Sequence, residues 1–136
     1  MAKKSIRIEG GCHCGAVRYA VSGKPEGSMI CHCQTCRRVS GAPVVAWVSV
    51  ESGKFEIVRG HAKAYVSSGG VRRQFCGRCG AQLTYARVDD EDSIDVTTAT
   101  LDHPEAFPPT HHSWLSHDIE WLAFGDGLPT FKKSRT

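Results

Sequence analysis

Seven cysteines in a chain of 136 residues constrain the fold more than any other feature of this sequence. They fall into three tight groups, which are Cys12 and Cys14, then Cys31, Cys33 and Cys36, then Cys76 and Cys79. An odd number of thiols cannot form a complete set of intramolecular disulfides, and disulfides are rare in the reducing cytosol. Grouping of this kind therefore favours metal ligation.

The first residues and the charge balance indicate where the chain works and what it binds. Met1–Arg7 is charged and lacks the apolar core of a signal peptide, so we expect a cytoplasmic protein. No run of 18 apolar residues occurs, so no membrane span is predicted. The formal net charge of +3 is mildly basic. It falls short of the clustered basic face that nucleic-acid binding requires, so we expect no nucleic-acid partner.

Short alternating segments predict a mainly β fold, a small antiparallel sheet with short helical turns. The chain has no linker or internal repeat, so residues 1–136 are expected to form one domain. A helical turn is predicted at Thr35–Val39, and a proline-rich loop follows Leu101. The segments with the pattern of strands are Ser5–Glu9, Ala16–Val21, Val44–Val50, Phe55–Arg59, Ala62–Ser67, Ala81–Val88 and Ser93–Thr100.

The first and last cysteine groups together predict one closed metal site. Each is a short Cys-x-Cys or Cys-x-x-Cys turn flanked by glycines, which accept left-handed backbone angles. Zinc is held in structural sites by four ligands in a tetrahedron. Pairing the two turns supplies these four as Cys12, Cys14, Cys76 and Cys79. We expect such a zinc to staple the N-terminal hairpin to the middle of the sheet.

The middle group differs because it offers only three sulfurs, from Cys31, Cys33 and Cys36. Three protein ligands with one open position are typical of catalytic zinc, where water or a substrate thiol takes the fourth place. Two alternatives stay open. A histidine from elsewhere could complete a second structural site, or Cys33 and Cys36 could act as a redox pair. The redox interpretation leaves Cys31 unexplained.

Charged and titratable residues near the cysteines are candidates for supporting roles. His13 and His32 lie between cysteines, and we expect them to face solvent or bond to backbone rather than ligate. A histidine among His111, His112 and His117 could carry a proton. Arginines near the cysteines could hold an anion bidentately, although each one alone is more typical of a solvated surface. These are Arg37, Arg38, Arg72, Arg73 and Arg78.

Three ordered motifs resemble the glutathione-dependent formaldehyde-activating enzyme family, which shares its domain with centromere protein V. The motifs are Gly10-Gly11-Cys12-His13-Cys14-Gly15-Ala16-Val17-Arg18-Tyr19, then Cys31-His32-Cys33-Gln34-Thr35-Cys36-Arg37-Arg38, then Phe75-Cys76-Gly77-Arg78-Cys79-Gly80. Leu128-Pro129 near the end is also similar, so the resemblance spans about residues 7–131.

The resemblance implies a β-rich zinc fold related to the methionine sulfoxide reductase B proteins. It implies a tightly bound structural zinc on Cys12, Cys14, Cys76 and Cys79, and a labile catalytic zinc on Cys31, Cys33 and Cys36. The implied activity is that of a carbon–sulfur lyase, the reversible addition of glutathione to formaldehyde to give S-hydroxymethylglutathione. We therefore expect a small thiol such as glutathione and an aldehyde as partners. The competing interpretation is a non-catalytic zinc module that binds a partner or carries metal.

Overall fold

The structure, a computed structural model, describes residues 7–135 and is mainly β, with 45% of residues in strands and 15% in helices. The prediction of a mainly β fold with short helical turns is confirmed. No helix among the described residues is long and apolar enough to cross a membrane. The strands are β1 (Arg7–Gly11), β2 (Arg18–Ser22), β3 (Gly27–Cys31), β4 (Val45–Glu51), β5 (Phe55–Arg59), β6 (Ala62–Ser68), β7 (Val71–Cys76), β8 (Gln82–Arg87), β9 (Asp90–Thr97) and β10 (His112–Ser113). The helices are α1 (Gln34–Ser40) and 3-10 turns at Ser52–Lys54, Thr98–Thr100, Pro104–Ala106 and Leu115–His117.

The strands form two sheets. Three of them make a small sheet in the order β1-β2-β5, and seven make a larger one in the order β10-β3-β4-β9-β8-β7-β6. Neighbouring strands are antiparallel except for β10, which pairs with β3 in parallel. The predicted strand Ser5–Glu9 begins outside the described residues, and β1 continues to Gly11. Cys76 ends β7, which lies beside the edge strand β6. The prediction that the third cysteine group lies in the middle of the sheet is therefore wrong.

Strand β4 separates the main core from a second, smaller apolar cluster. Val48 and Val50 project from one face of β4 into the main core, together with residues of the three-stranded sheet such as Tyr19. Val45 and Trp47 project from the other face and pack against Cys31 and Cys36. This division follows from the two-residue period of a strand, which sends successive side chains to opposite faces.

The register of the larger sheet aligns four polar side chains across the face that carries Trp47. Arg73 in β7 pairs with Tyr85 in β8, Tyr85 pairs with Asp95 in β9, and Asp95 pairs with Ser49 in β4. Directly opposed residues in neighbouring strands project from the same face. The sheet therefore presents a cation, a phenol, a carboxylate and a hydroxyl in one row.

Candidate metal centres and the adjoining cavity

The first and third cysteine groups meet in space. The sulfurs of Cys12, Cys14, Cys76 and Cys79 all lie within 4.8 Å of one another. The turn after β1 carries the first two, and the end of β7 and the turn beyond it carry the others. The sulfur of Cys14 is 3.6 Å from that of Cys12 and 3.7 Å from that of Cys76.

Backbone N–H groups around these turns favour thiolates over thiols. The N–H of Val17 donates to the Cys12 sulfur at 3.2 Å, and the N–H of Cys79 donates to the Cys76 sulfur at 3.4 Å. Hydrogen bonds, first from the N–H of Ala81 and then from that of Cys14, lower the pKa of the Cys79 thiol to about 6. Hydrogen bonds to the charged form of an acid stabilise that form. The backbone N–H groups therefore favour negative charge at Cys12 and Cys79, whereas burial and the neighbouring sulfurs raise the pKa of the Cys14 thiol to about 11.

The middle group also comes together, and it contains sulfur alone. Cys31 is the last residue of β3, Cys33 directly precedes α1, and Cys36 lies inside the helix. Their sulfurs lie within 4.8 Å of one another, and no histidine nitrogen or carboxylate oxygen of residues 7–135 joins them. Cys31 and Cys36 are 5% and 3% exposed, so this group is more deeply buried than the exposed Cys14 of the other one.

Helix α1 directs donors at the middle group. The predicted turn Thr35–Val39 lies within this helix. Hydrogen bonds with the Cys31 and Cys36 side chains lower the pKa of the Cys33 thiol, and the N–H groups of Cys36 and Thr35 lower it further. The group therefore favours a thiolate at Cys33.

Both groups have the donor chemistry and the spacing that suit a soft divalent metal. All seven cysteines are free thiols. A tetrahedron with Zn–S bonds of about 2.3 Å places its sulfurs about 3.8 Å apart. The closest sulfurs are 3.6 and 3.7 Å apart in the first group, and Cys31 and Cys36 are 3.7 Å apart in the second. Both groups could hold a metal ion.

The histidines only partly follow their sequence-based expectations. His13 is exposed, as expected of a residue between two cysteines in a tight turn. His32 is 2% exposed and bonds to the side chains of Asp118 and His112, so the expectation that it faces solvent or bonds to backbone is wrong. His111 is buried and lines a cavity beside the middle cysteines.

This cavity has a volume of about 770 Å³ and lies on the face of the larger sheet that carries Trp47. Cys31, Cys33 and Cys36 are part of its wall. Its floor holds the row of Arg73, Tyr85, Asp95 and Ser49, so charges of both signs face the same space. The sequence alone did not identify Asp95 or Tyr85, because they face the cavity only through the pairing of three strands.

Trp114 closes another part of the cavity wall in a strained conformation. Its φ of 63° is the one positive φ of a non-glycine residue between residues 7 and 135. Such angles are costly for bulky side chains and concentrate at functional sites. Trp114 packs against the apolar cluster that contains Cys31 and Cys36. The packing around Trp114 therefore holds it in this conformation, as an aromatic wall next to the middle cysteines.

Among the five arginines that the sequence singled out, Arg73 alone lines the cavity. Its Nη2 atom lies 3.5 Å from the Cys36 sulfur. Arg38, Arg72 and Arg78 are exposed, as expected of arginines on a solvated surface.

Known proteins resemble this chain in sequence and in fold. Residues 7–117 match the family model described as glutathione-dependent formaldehyde-activating enzyme. A Halomonas elongata protein that bears this family's name is 29% identical over 125 residues, which cover 85% of this chain and 79% of the relative. An uncharacterized lyase of Schizosaccharomyces pombe is 34% identical over 117 residues, covering 85% and 73% respectively.

A crystal structure of a Rhodobacter sphaeroides protein has the same fold. It superposes with a TM-score of 0.58 at 21% identity, over 90% of this chain and 98% of that one. The family match ends at residue 117, before the Leu128-Pro129 pair that the sequence comparison included. It spans all seven cysteines and the strands that position them. The chain therefore belongs to the glutathione-dependent formaldehyde-activating enzyme family.

Proposed function

We propose that this protein is a carbon–sulfur lyase that adds a small thiol, such as glutathione, reversibly to an aldehyde such as formaldehyde. The observation that carries the proposal is the group of three cysteines on the wall of a large cavity, in a chain of this family. In the reaction the thiol loses its proton and the sulfur bonds to the carbonyl carbon. The C=O π electrons move to oxygen, which takes up a proton to give a hydroxymethyl thioether. The reverse reaction breaks the same C–S bond.

The two cysteine groups would have different tasks. Cys12, Cys14, Cys76 and Cys79 would hold a structural zinc, and Cys31, Cys33 and Cys36 would hold a second, labile zinc. A zinc ion bound there would supply a Lewis acid that keeps a substrate thiol deprotonated at neutral pH. The buried position of Cys31 and Cys36 would limit the access of water to the reacting sulfur.

The cavity suits a small molecule that carries charges of both signs. Its volume lies within the range of about 300–1,000 Å³ that is usual for small-ligand sites. The Asp95 carboxylate on the floor accepts a hydrogen bond from the Ser49 hydroxyl at 2.6 Å and forms no ion pair within residues 7–135. We propose that this carboxylate binds the ammonium group of the thiol substrate. Arg87 and Arg135 also line the cavity. Because Arg87 already forms a bidentate ion pair with Asp89, we assign Arg135 to a carboxylate of glutathione.

His111 is our candidate for moving the proton. Its Nδ1 atom is 3.0 Å from the Thr110 hydroxyl, and its ring packs edge-on against Phe131. Burial, followed by the nearby positive charges of Arg135 and His112, lowers the pKa of the His111 imidazole. The ring is therefore neutral at pH 7 and can exchange a proton between the thiol and the new alkoxide.

Nuclear magnetic resonance exchange between formaldehyde, glutathione and their adduct tests the proposal, with zinc per chain measured on the same samples. The expected result is exchange above the spontaneous rate at two zinc ions per chain. Cys36→Ser should return the rate to the spontaneous value and retain one zinc. The exposed His103→Ala serves as a matched control with unchanged rate. A protein with two zinc ions and only spontaneous exchange would instead be a non-catalytic zinc module.

A further inference from the structure

Arg73 is a buried cation without an anionic partner among the described residues. Arg73 as a whole is only 4% exposed. Its Nε donates to the Ser67 hydroxyl at 2.8 Å, and its guanidinium lies over the Tyr85 ring at 5.1 Å from the ring centre. The Nη1 atom is buried and has no hydrogen-bond partner. No carboxylate of residues 7–135 forms an ion pair with it.

Such an arrangement is expensive unless a negative charge compensates it. A guanidinium stays protonated at every relevant pH, and moving an ion of this size out of water has a large free-energy cost. Hydroxyl and aromatic neighbours recover only part of that cost. The remaining neighbour is the sulfur of Cys36, 3.5 Å from Nη2. Negative charge on the middle cysteine group is the compensation that this position offers.

The charge of a metal complex at that group matches the charge of Arg73. Three thiolates and one divalent cation carry a net charge of −1, which a single guanidinium neutralises. The four-cysteine group is different. Its four thiolates with one divalent cation carry a net charge of −2, but the sulfur of Cys14 is exposed and backbone N–H groups donate hydrogen bonds to the sulfurs of Cys12 and Cys76. Water and backbone dipoles can screen that charge. The buried middle group requires a counter-charge from the protein.

We infer that Arg73 is the counter-charge of the metal complex formed by Cys31, Cys33 and Cys36, and that it sets the metal affinity of this site. The inference rests on the proposed metal occupancy of that group. Partners that touch metal ligands typically change metal affinity by roughly 10- to 100-fold when they are removed. Arg73 acts through Cys36 and is therefore a positioning residue rather than a catalytic one.

The test is a zinc competition titration of the full chain with a chromophoric chelator, which resolves the affinities of the two sites. Arg73→Met should weaken the weaker site by roughly 10- to 100-fold and leave the tighter site unchanged. Arg73→Lys should recover most of the loss because it restores the charge. Arg72→Met is the matched control, since Arg72 is the exposed neighbour on the same strand, and it should change neither affinity.

Several results would overturn the inference. One is an unchanged affinity at the weaker site of a folded Arg73→Met variant, and another is a Lys variant that is no better than the Met variant. If the Met variant fails to fold, Arg73→Gln replaces it, since it keeps amide donors but removes the charge. A wild-type chain that binds only one zinc would contradict the proposed function as well. A wild-type chain with two zinc ions whose affinities are independent of Arg73 would contradict this inference alone.

Discussion

The imidazole rings of His32 and His112 are hydrogen-bonded to each other, with 2.9 Å between Nε2 of the first and Nδ1 of the second. The outer nitrogen of each ring lies 2.8 Å from a carboxylate oxygen, that of Asp118 for His32 and that of Asp126 for His112. Both rings are almost completely buried. The hydrogen bonds therefore form one chain from Asp118 through His32 and His112 to Asp126. The network ties the segment 118–126 to the loop of the middle cysteines.

Replacing His112 by phenylalanine should lower the free energy of unfolding by about 1–3 kcal/mol. The change keeps an aromatic ring but leaves His32 Nε2 without a partner in the interior. Urea unfolding followed by circular dichroism measures the effect. His103→Ala, at an exposed position, is the control and should unfold like the wild type. Equal midpoints for the His112 variant and the wild type would show that the network contributes nothing to stability.

Replacing Cys76 by serine should unfold or aggregate the protein. Cys76 is 1% exposed in the main core and belongs to the group that we propose holds structural zinc. Such an ion contributes folding free energy directly. Cys36→Ser is the paired variant, and it should lose the other zinc and still fold, but melt at a lower temperature than the wild type because Arg73 loses its counter-charge. Metal analysis and thermal unfolding measure both. A Cys76→Ser variant that melts like the wild type would refute the structural assignment.

Chelator titration should remove the two zinc ions in separate steps. The ion at the three-cysteine group has fewer protein ligands, so it should be removed first. Its removal should not change the circular dichroism spectrum of the strands. The second ion should leave only as that spectrum is lost, because its release is coupled to unfolding. Simultaneous release of both ions would contradict the proposed difference between the sites.

Replacing Asp95 by asparagine should stabilise the protein at pH 7 and weaken its use of glutathione. Burial raises the pKa of the Asp95 carboxyl, so the folded chain binds this proton more tightly than the unfolded chain does. The contribution of Asp95 to the free energy of unfolding is therefore fully present below its pKa in the unfolded chain, about 3.9. It is lost as the pH rises through its higher pKa in the folded chain. The variant avoids that loss. Its melting temperature should exceed the wild type's at pH 7 and match it near pH 3.

The same Asp95 variant should raise KM for glutathione, because it removes the proposed partner of the ammonium group. Asp92→Asn is the control, since Asp92 is exposed on the same strand. It should alter neither the melting temperature nor KM. A lower melting temperature of the Asp95 variant at pH 7 would show that the carboxylate stabilises the fold instead of serving a ligand.

Strands in which apolar and polar residues clearly alternate could be predicted from the sequence. A strand whose alternation is hidden by a charged residue facing the cavity could not. Phe55–Arg59 alternates apolar and polar residues, and β5 has the same bounds. Strand β7 was missed because Arg72 and Arg73 are adjacent charges, which hide its period of two. One of these arginines is buried in the cavity floor and the other is exposed. Tertiary context decides between them, and no local pattern carries that information.

The cysteine turns were predictable because the spacing within each turn is local, whereas their surroundings depend on long-range pairing. Three short motifs sufficed to assign which cysteines lie together. The contact between Arg73 and Cys36 joins residues 37 positions apart, and that between His32 and Asp118 joins residues 86 positions apart. These neighbours are set by strand order and by the docking of the C-terminal segment. Both arise only when the whole chain has folded.

The closed cysteine group also has a consequence for how fast the chain folds. It joins Cys14, which follows a strand of the small sheet, to Cys76, 62 residues later in the large sheet. Contacts between distant segments form slowly, because the chain loses loop entropy before the contact stabilises it. A zinc ion held by both turns would keep this loop closed while the strands between them pair. The yield of folded protein in a cell would then depend on the zinc supply at the time of synthesis.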